Sequence, residues 1–146
     1  MIVRPVEKGD WKEWLRMRRL LWPSTSVAEH ENEMSAYFMR GGGFLSWVAQ
    51  KSDKRLIGFL EASIRDVAEG CDSRNVAYIE GWYVEPDFRR TGVGSSLVNH
   101  AAQWARAHGC KEMASDCELD NQVSLKAHLS LGFDETARLI HFSKRL

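Results

Sequence analysis

Two kinds of apolar spacing alternate along the 146 residues. After a short extended start, Ile2-Val3-Arg4-Pro5, apolar side chains fall at Trp11, Trp14, Leu15 and Leu21, the three-and-four spacing of a helix face. Asp10 stands at the N-cap of that helix, Glu13 follows at capping-box distance, and the helix ends before Pro23. Ser26 and Glu29 repeat the capping-box spacing and open a second helix through about Met39, ended by Gly41-Gly42-Gly43. The pattern then changes to strands: Phe44–Gln50, a polar turn over 51–55, and Leu56–Arg65, which read as a hairpin. Residues 66–75 form a loop. Val76–Val84 is a β-branched and aromatic strand that Pro86 stops. Helical spacing returns at Val93, Leu97, Val98, Ala101, Ala102 and Ala105, with Gly109 as a C′ residue. Residues 112–117 read as a strand. Asp120 or Asn121 caps a short helix carrying Val123, Ala127 and Leu131, and 135–144 closes the chain as a final strand. The order β-α-α-β-β-β-α-β-α-β is mixed α/β, and the length is that of one domain spanning 1–146.

Composition narrows the class. Hydrophobic residues make up 44% and charged residues 27%, an ordinary globular balance. Twenty basic residues offset twenty acidic ones, so nothing global points to nucleic acid or a membrane surface. No apolar run approaches the ~20 residues a membrane span needs, and the N-terminus lacks a signal-peptide core, so a cytoplasmic protein is expected. Cys71, Cys110 and Cys117 are odd in number and lack metal-ligand spacing; free thiols and no metal are expected.

The most informative stretch joins the strand Val76–Val84 to the helix that starts at Val93. Between them lies Arg89-Arg90-Thr91-Gly92-Val93-Gly94-Ser95. A glycine-bearing turn ahead of a helix points backbone N–H groups and the positive end of the helix dipole at one spot, which suits a phosphate. Glycines at 92 and 94 leave room for a pyrophosphate at the backbone, and Arg89 and Arg90 can add charge-assisted hydrogen bonds. A tight strand-to-helix turn explains the glycines equally well. A P-loop lysine and a third dinucleotide-fold glycine are both missing.

Arg89-x-x-Gly92-x-Gly94 after a strand and a proline resembles the acyl-CoA-binding signature of the GCN5-related N-acetyltransferases. Asn121, a short helix and Leu131-Gly132-Phe133 resemble that family's later segment. The resemblance implies a central mixed sheet with a splayed strand pair and flanking helices, and acetyl-CoA as co-substrate. It places the cofactor on Trp82, Tyr83, Val84, Arg89, Arg90, Thr91, Gly92, Val93, Gly94, Ser95 and Asn121. It also implies a bulge near Gly81 that frees a backbone N–H to polarise the thioester, although a strand glycine is often a packing accommodation.

An amine must be neutral to attack, and this selects carboxylates. Glu80 lies on the strand beside the presumed bulge, and Asp116 lies at the end of the next strand. An acid among Tyr78, Ile79, Trp82 and Tyr83 is unusual because burying an unpaired charge is costly. The alternatives are that Glu80 pairs with an arginine or faces solvent, and that Asp116 is only a strand-end residue. His128 stands where many family members carry a tyrosine thought to protonate the departing thiolate. Its reference pKa of about 6.5, against about 10 for tyrosine, alters that role, and a plain helix-face histidine is the alternative. No Cys or Ser in the sequence suggests a nucleophile–base pair, so direct attack by the amine is expected.

Leu21-Trp22-Pro23, Gly70-Cys71-Asp72-Ser73, residues 112–116 and Ala127-His128-x-x-Leu131-Gly132-Phe133-x-Glu135-Thr136 are similar to segments of the aminoglycoside 6′-N-acetyltransferases of one bacterial resistance group. That resemblance implies drug contacts at Trp22, Asp72, Glu80 and Asp116, and a homodimer built partly by the C-terminal strand. An aminoglycoside is a polycation, so its pocket should be acidic with an aromatic wall. Glu29, Glu31, Glu33, Glu118 and Asp120 are further acids available to it, unless they form a solvated face. Trp22 is that wall or helix-end core. Two departures, Val67 where the group often has an aromatic and Ala137 where it often has Glu, point to a different substrate range. Acetyl transfer to polyamines, peptide N-termini or lysines is a rival reading, as is a non-catalytic acyl-CoA sensor.

Overall fold

Four strands pair in chain order and build an antiparallel meander: β1 (Ile2–Pro5), β2 (Phe44–Gln50), β3 (Leu56–Arg65) and β4 (Val76–Val84). The fifth, β5 (Met113–Ser115), lies parallel to β4, which requires a crossover. The helix α3 (Val93–Ala107) supplies it. The computed structural model describes residues 1–39 and 42–146.

Side chains alternate between the sheet faces, and both faces are covered. On one side Trp14 and Met17 of α1 (Trp11–Leu21) and Met34 of α2 (Val27–Met39) pack on Val48 and Phe59. On the other, Leu97 and Ala101 of α3 pack on Trp47, Leu60 and Ala62. Seven successive residues of β3, Leu56 to Ala62, are therefore buried.

Most expected ends hold, for identifiable reasons. Ser26 and Glu29 form a reciprocal capping box, each backbone N–H donating to the other's side chain at 3.2 Å. Gly109 has φ +78°, and Gly109 N–H to Arg106 O with Cys110 N–H to Ala105 O complete a Schellman end on α3. Asn121 Oδ1 accepts the Ser124 N–H at 3.0 Å and caps α4 (Gln122–Ser130). The expected stop at Gly41 lies outside the described residues.

Three expectations are corrected. Asp10 precedes α1, but its carboxylate does not cap it. Arg4 donates to it twice, at 2.7 and 2.9 Å, as does Glu7 N–H at 2.8 Å. β5 covers only Met113–Ser115 of the expected 112–117. The final strand over 135–144 is not formed: no strand is assigned after β5 among the described residues, and Ile140 and Phe142 stand 77% and 91% exposed. An extended segment has no ladder to join unless a sheet edge is offered to it.

Candidate active site

The turn between β4 and α3 is held in a special conformation. Arg90 (φ +59°) and Gly92 (φ +91°) both occupy the left-handed region. Nothing lies within 4 Å of a side chain built on Gly92, so its glycine answers a backbone demand. Gly94 differs: a Cβ there would lie 2.8 Å from Cζ2 of Trp82, so the glycine makes room for that indole. Thr91 Oγ1 donates to Phe88 O at 2.6 Å and Arg89 Nε to Val84 O at 2.9 Å, tying the turn to the strand end. The first helical bond is Ser96 N–H to Gly92 O, leaving the N–H groups before it pointing out of the helix. Arg90 is exposed at the same end.

Beside the turn the sheet opens. β5 pairs only with Ala77–Ile79 of β4, so from Glu80 onward no strand lies along that edge of β4 among the described residues. This is the expected splay. On its other edge β4 carries a bulge: Glu61 pairs with Gly81 and Ala62 with Ile79, which leaves Glu80 as the extra residue. The bulge thus falls on Glu80 rather than Gly81. Gly81 is glycine because the indole of Trp22 occupies the space a Cβ would need.

Re-aimed by the bulge, the Glu80 carboxylate meets β3. Oε1 accepts from Ser63 Oγ at 2.5 Å and from Arg65 Nε at 3.0 Å, and Oε2 accepts from Arg65 Nη2 at 2.7 Å. The arginine pairing held open by the sequence is the one realised. Arg65 also lies 3.5 Å from the centre of the Tyr78 ring. Tyr78 donates its hydroxyl to Asp116, the residue just after β5. Burial, then the bond to Asp116, pushes the Tyr78 phenol well above its ordinary value. Hydrogen bonds join Ser63 and Arg65 to Glu80 and Tyr78 to Asp116, and the Arg65 guanidinium over the Tyr78 ring links the two pairs, so Glu80 and Asp116 are brought into one connected set.

His128 lies on the other side of the opening. Its ring stands edge-on to Trp82 and to Phe133, both at 5.3 Å. Nδ1 is 2.7 Å from Ser124 O, a carbonyl that can only accept, so Nδ1 carries the proton. Nε2 then accepts from Ser115 Oγ at 2.8 Å. The expectation that no serine faces a base is thus corrected: Ser115 and His128 form such a pair. A groove of about 150 Å³ runs past Asp116, Leu125, His128, Phe133 and Arg138.

Two further sequence candidates take different places. Trp22 packs into the core at the end of α1: Arg18 lies 4.8 Å from the centre of its ring, Phe59 packs at 6.1 Å, and the same ring abuts Gly81. Asp72 is exposed on a loop pinned by Glu112, whose Oε1 accepts from Asp72 N–H at 3.0 Å and Ser73 N–H at 2.7 Å. Those bonds, led by the Ser73 hydroxyl, hold the Glu112 carboxyl below its usual range. No hydrogen bond or ion pair joins Asp72 to Glu80 or Asp116 among the described residues. Of the other acids, Glu29 is committed to its capping box and Glu33 to Arg18.

Sequence reasoning missed Ser63, Arg65 and Ser115. Ser63 and Arg65 share one face of β3 by their two-residue spacing, but only the register, Ser63 opposite Tyr78, shows that this face meets Glu80. Cys71, Cys110 and Cys117 are free. Among the described residues no group of His, Cys, Asp and Glu is arranged to hold a metal, and no helix is long and apolar enough to cross a membrane.

Comparison with known proteins agrees with this geometry. An aminoglycoside N(6′)-acetyltransferase type 1 from Klebsiella aerogenes is 46% identical, covering 99% of this chain and 97% of that protein. The ligand-free crystal structure of the aminoglycoside 6′-N-acetyltransferase AAC(6′)-Ig from Acinetobacter haemolyticus superposes with a TM-score of 0.93 at 40% identity, covering 100% of this chain and 99% of the other. AAC(6′)-Iy, solved with the bisubstrate analogue CoA-S-monomethyl-acetylneamine, superposes at 0.92 with 36% identity and coverage of 99% and 98%. Residues 14–133 match the Acetyltransferase (GNAT) family, and the chain belongs to that family.

Proposed function

We propose that this protein transfers the acetyl group of acetyl-CoA to the 6′-amino group of aminoglycoside antibiotics and thereby confers resistance to them. The observation that carries this reading is the juxtaposition at β4: an open strand edge runs into a left-handed glycine turn, with two carboxylates beside it. The turn fits a pyrophosphate, because among the described residues the N–H groups from Arg90 to Ser95 meet no backbone acceptor and no side chain covers Gly92. Backbone N–H groups of Trp82, Tyr83 and Val84 line the pantetheine arm. Those of Arg90, Thr91, Gly92, Val93, Gly94 and Ser95, with the Arg89 and Arg90 side chains, hold the phosphates, and Asn121 contacts the pantetheine from the cap of α4. Bound there, acetyl-CoA supplies the activated thioester. No metal enters this reading.

The drug occupies the acidic side. Glu80 takes the proton of the 6′-ammonium, directly or through a water, and Asp116 holds a neighbouring ammonium. Trp22 and Asp72 complete the pocket as its wall and an outer charge. The Ser63 hydroxyl holds the Glu80 carboxylate in place for that task. When His128 carries a second proton, Nε2–H donates to Ser115 Oγ, and Ser115 gives its hydroxyl proton to the leaving sulfur as it takes one from Nε2.

The Ser115–His128 pair also favours a second reading, in which Ser115 is acetylated first and the amine attacks that ester. Initial-rate patterns separate the two: intersecting lines with no acetylated protein by mass spectrometry match direct attack, whereas parallel lines and an acetyl group on Ser115 match the covalent route.

The exposed apolar run Leu139-Ile140-His141-Phe142 supports a homodimer in which 137–144 adds to the partner's sheet. The chain acts as one domain over 1–146, in the cytoplasm. CoA release measured with a panel of aminoglycosides, polyamines and peptides tests the reading. Turnover of kanamycin or tobramycin is expected. Turnover confined to polyamines or peptides would replace the substrate, and none with any amine would leave an acyl-CoA-sensing module.

A further inference from the structure

Arg65 is the cation already seated where the substrate's charge must go. It is the last residue of β3, its side chain is 44% exposed, and it grips both oxygens of Glu80. Its guanidinium covers the face of Tyr78, whose hydroxyl is spent on Asp116. Hydrogen bonding to Glu80 raises the Arg65 pKa, with the charges of Glu80, Tyr78 and Asp116 acting in the same sense against a burial penalty. Without a ligand, therefore, each carboxylate that would receive an ammonium group is already occupied from within the fold.

We propose that Arg65 is a specificity-determining counter-ion, which a substrate ammonium group must displace from Glu80 before the amine can be aligned. This rests on the drug-binding reading of Glu80 and Asp116. An exchange of one cation for another gains little by itself, so only an amine that makes further contacts, for example an ammonium on Asp116, displaces Arg65. When the guanidinium swings out, the Tyr78 face that it covered opens to the incoming cation. The position of Arg65 at a strand end next to the 66–75 loop allows that movement, whereas Ser63, deeper in the strand, continues to hold Glu80.

Titration calorimetry with kanamycin, without acetyl-CoA, on the wild type, Arg65→Gln and Arg65→Lys tests this. Removing the competing cation should tighten kanamycin binding about two- to fivefold, the scale of a half-exposed ion pair. It should also steepen the loss of affinity with added salt, because the site gains net negative charge. Arg65→Lys should stay near the wild type, with acetyl-CoA affinity unchanged in both variants. Weaker or equal kanamycin binding in a folded Arg65→Gln protein overturns the proposal and makes Arg65 a holder of Glu80; an absence of binding in every protein overturns it together with the drug-binding reading on which it rests. Binding that follows the expected pattern without CoA release would leave the counter-ion role standing and remove the acetyl-transfer reading instead.

Discussion

The indole of Trp22 fills the space beside Gly81 that any side chain would take, so the end of α1 and the bulge of β4 are fitted to one another. Arg18, one turn earlier on α1, stacks on Trp22. Arg18 Nε also donates to His30 Nδ1 at 3.4 Å, and the other ring nitrogen, Nε2, reaches Trp22 O at 3.3 Å. Trp22, the proposed wall of the drug pocket, and the strand that carries Glu80 are therefore positioned by one contact.

Replacing Gly81 by Ala forces Trp22 or the strand to move. Overpacking of this kind costs about 1–3 kcal/mol. Urea denaturation should show that loss, and steady-state kinetics should show KM for the aminoglycoside rising while KM for acetyl-CoA holds. An unchanged drug KM in the folded variant would separate Trp22 from the pocket.

Gly92 supplies a left-handed residue that nothing crowds. Gly92→Val must either adopt that region, at a cost of about 1–3 kcal/mol, or reshape the turn. Acetyl-CoA affinity by calorimetry should fall by roughly tenfold or more. Full affinity in a folded variant would move the cofactor away from this turn.

In the proposed reaction Glu80 and Asp116 divide the work of handling the amine. Glu80→Gln should lower kcat about 10²- to 10⁴-fold, the range for a positioned base. Asp116→Asn, which removes a charge felt equally by ground and transition states, should chiefly raise KM. Wild-type kcat with an unchanged pH profile in Glu80→Gln would assign the proton to solvent.

Acid stability has a local source in Asp10. Burial pushes its carboxyl up, but hydrogen bonds from Arg4 and the Glu7 N–H outweigh that and hold it below 3.8. A carboxyl depressed in the fold contributes fully above its unfolded value of about 3.9 and loses that contribution as pH falls through the folded value. Asp10→Asn should thus be less stable than the wild type at pH 7, with the gap closing below about pH 4. Urea midpoints across that range measure it.

The segment after α4 should be ordered by a second copy. Phe142→Asp puts a charge in the middle of the exposed apolar run and should convert a dimer to a monomer in light scattering at micromolar concentration. A wild-type protein that is itself monomeric there would remove the dimer proposal.

Much of the fold was legible in the residues because local rules act over a few positions. The Ser26–Glu29 box, the Gly109 end of α3 and the Asn121 cap each need only a short stretch of chain, and each formed as its spacing implied. The apolar periods distinguished helices from strands, and the glycine turn after β4 marked the candidate cofactor site. Asp10 departs from its rule because Arg4, outside the helix, competes successfully for the carboxylate.

What tertiary structure decided was pairing across the sheet. A bulge shifts register by one residue, and no local pattern states where the extra residue falls; here it is Glu80, and that placement turns its carboxylate onto Ser63 and Arg65. The meeting of Ser115 with His128 likewise depends on how α4 lies beside β5. The tail after α4 carries strand-like residues, yet a strand exists only where it pairs with an edge, and among the described residues this tail pairs with none. Sequence alone determined which chemical groups the protein has and which local turns they favour; long-range hydrogen bonding determined which of those groups face one another.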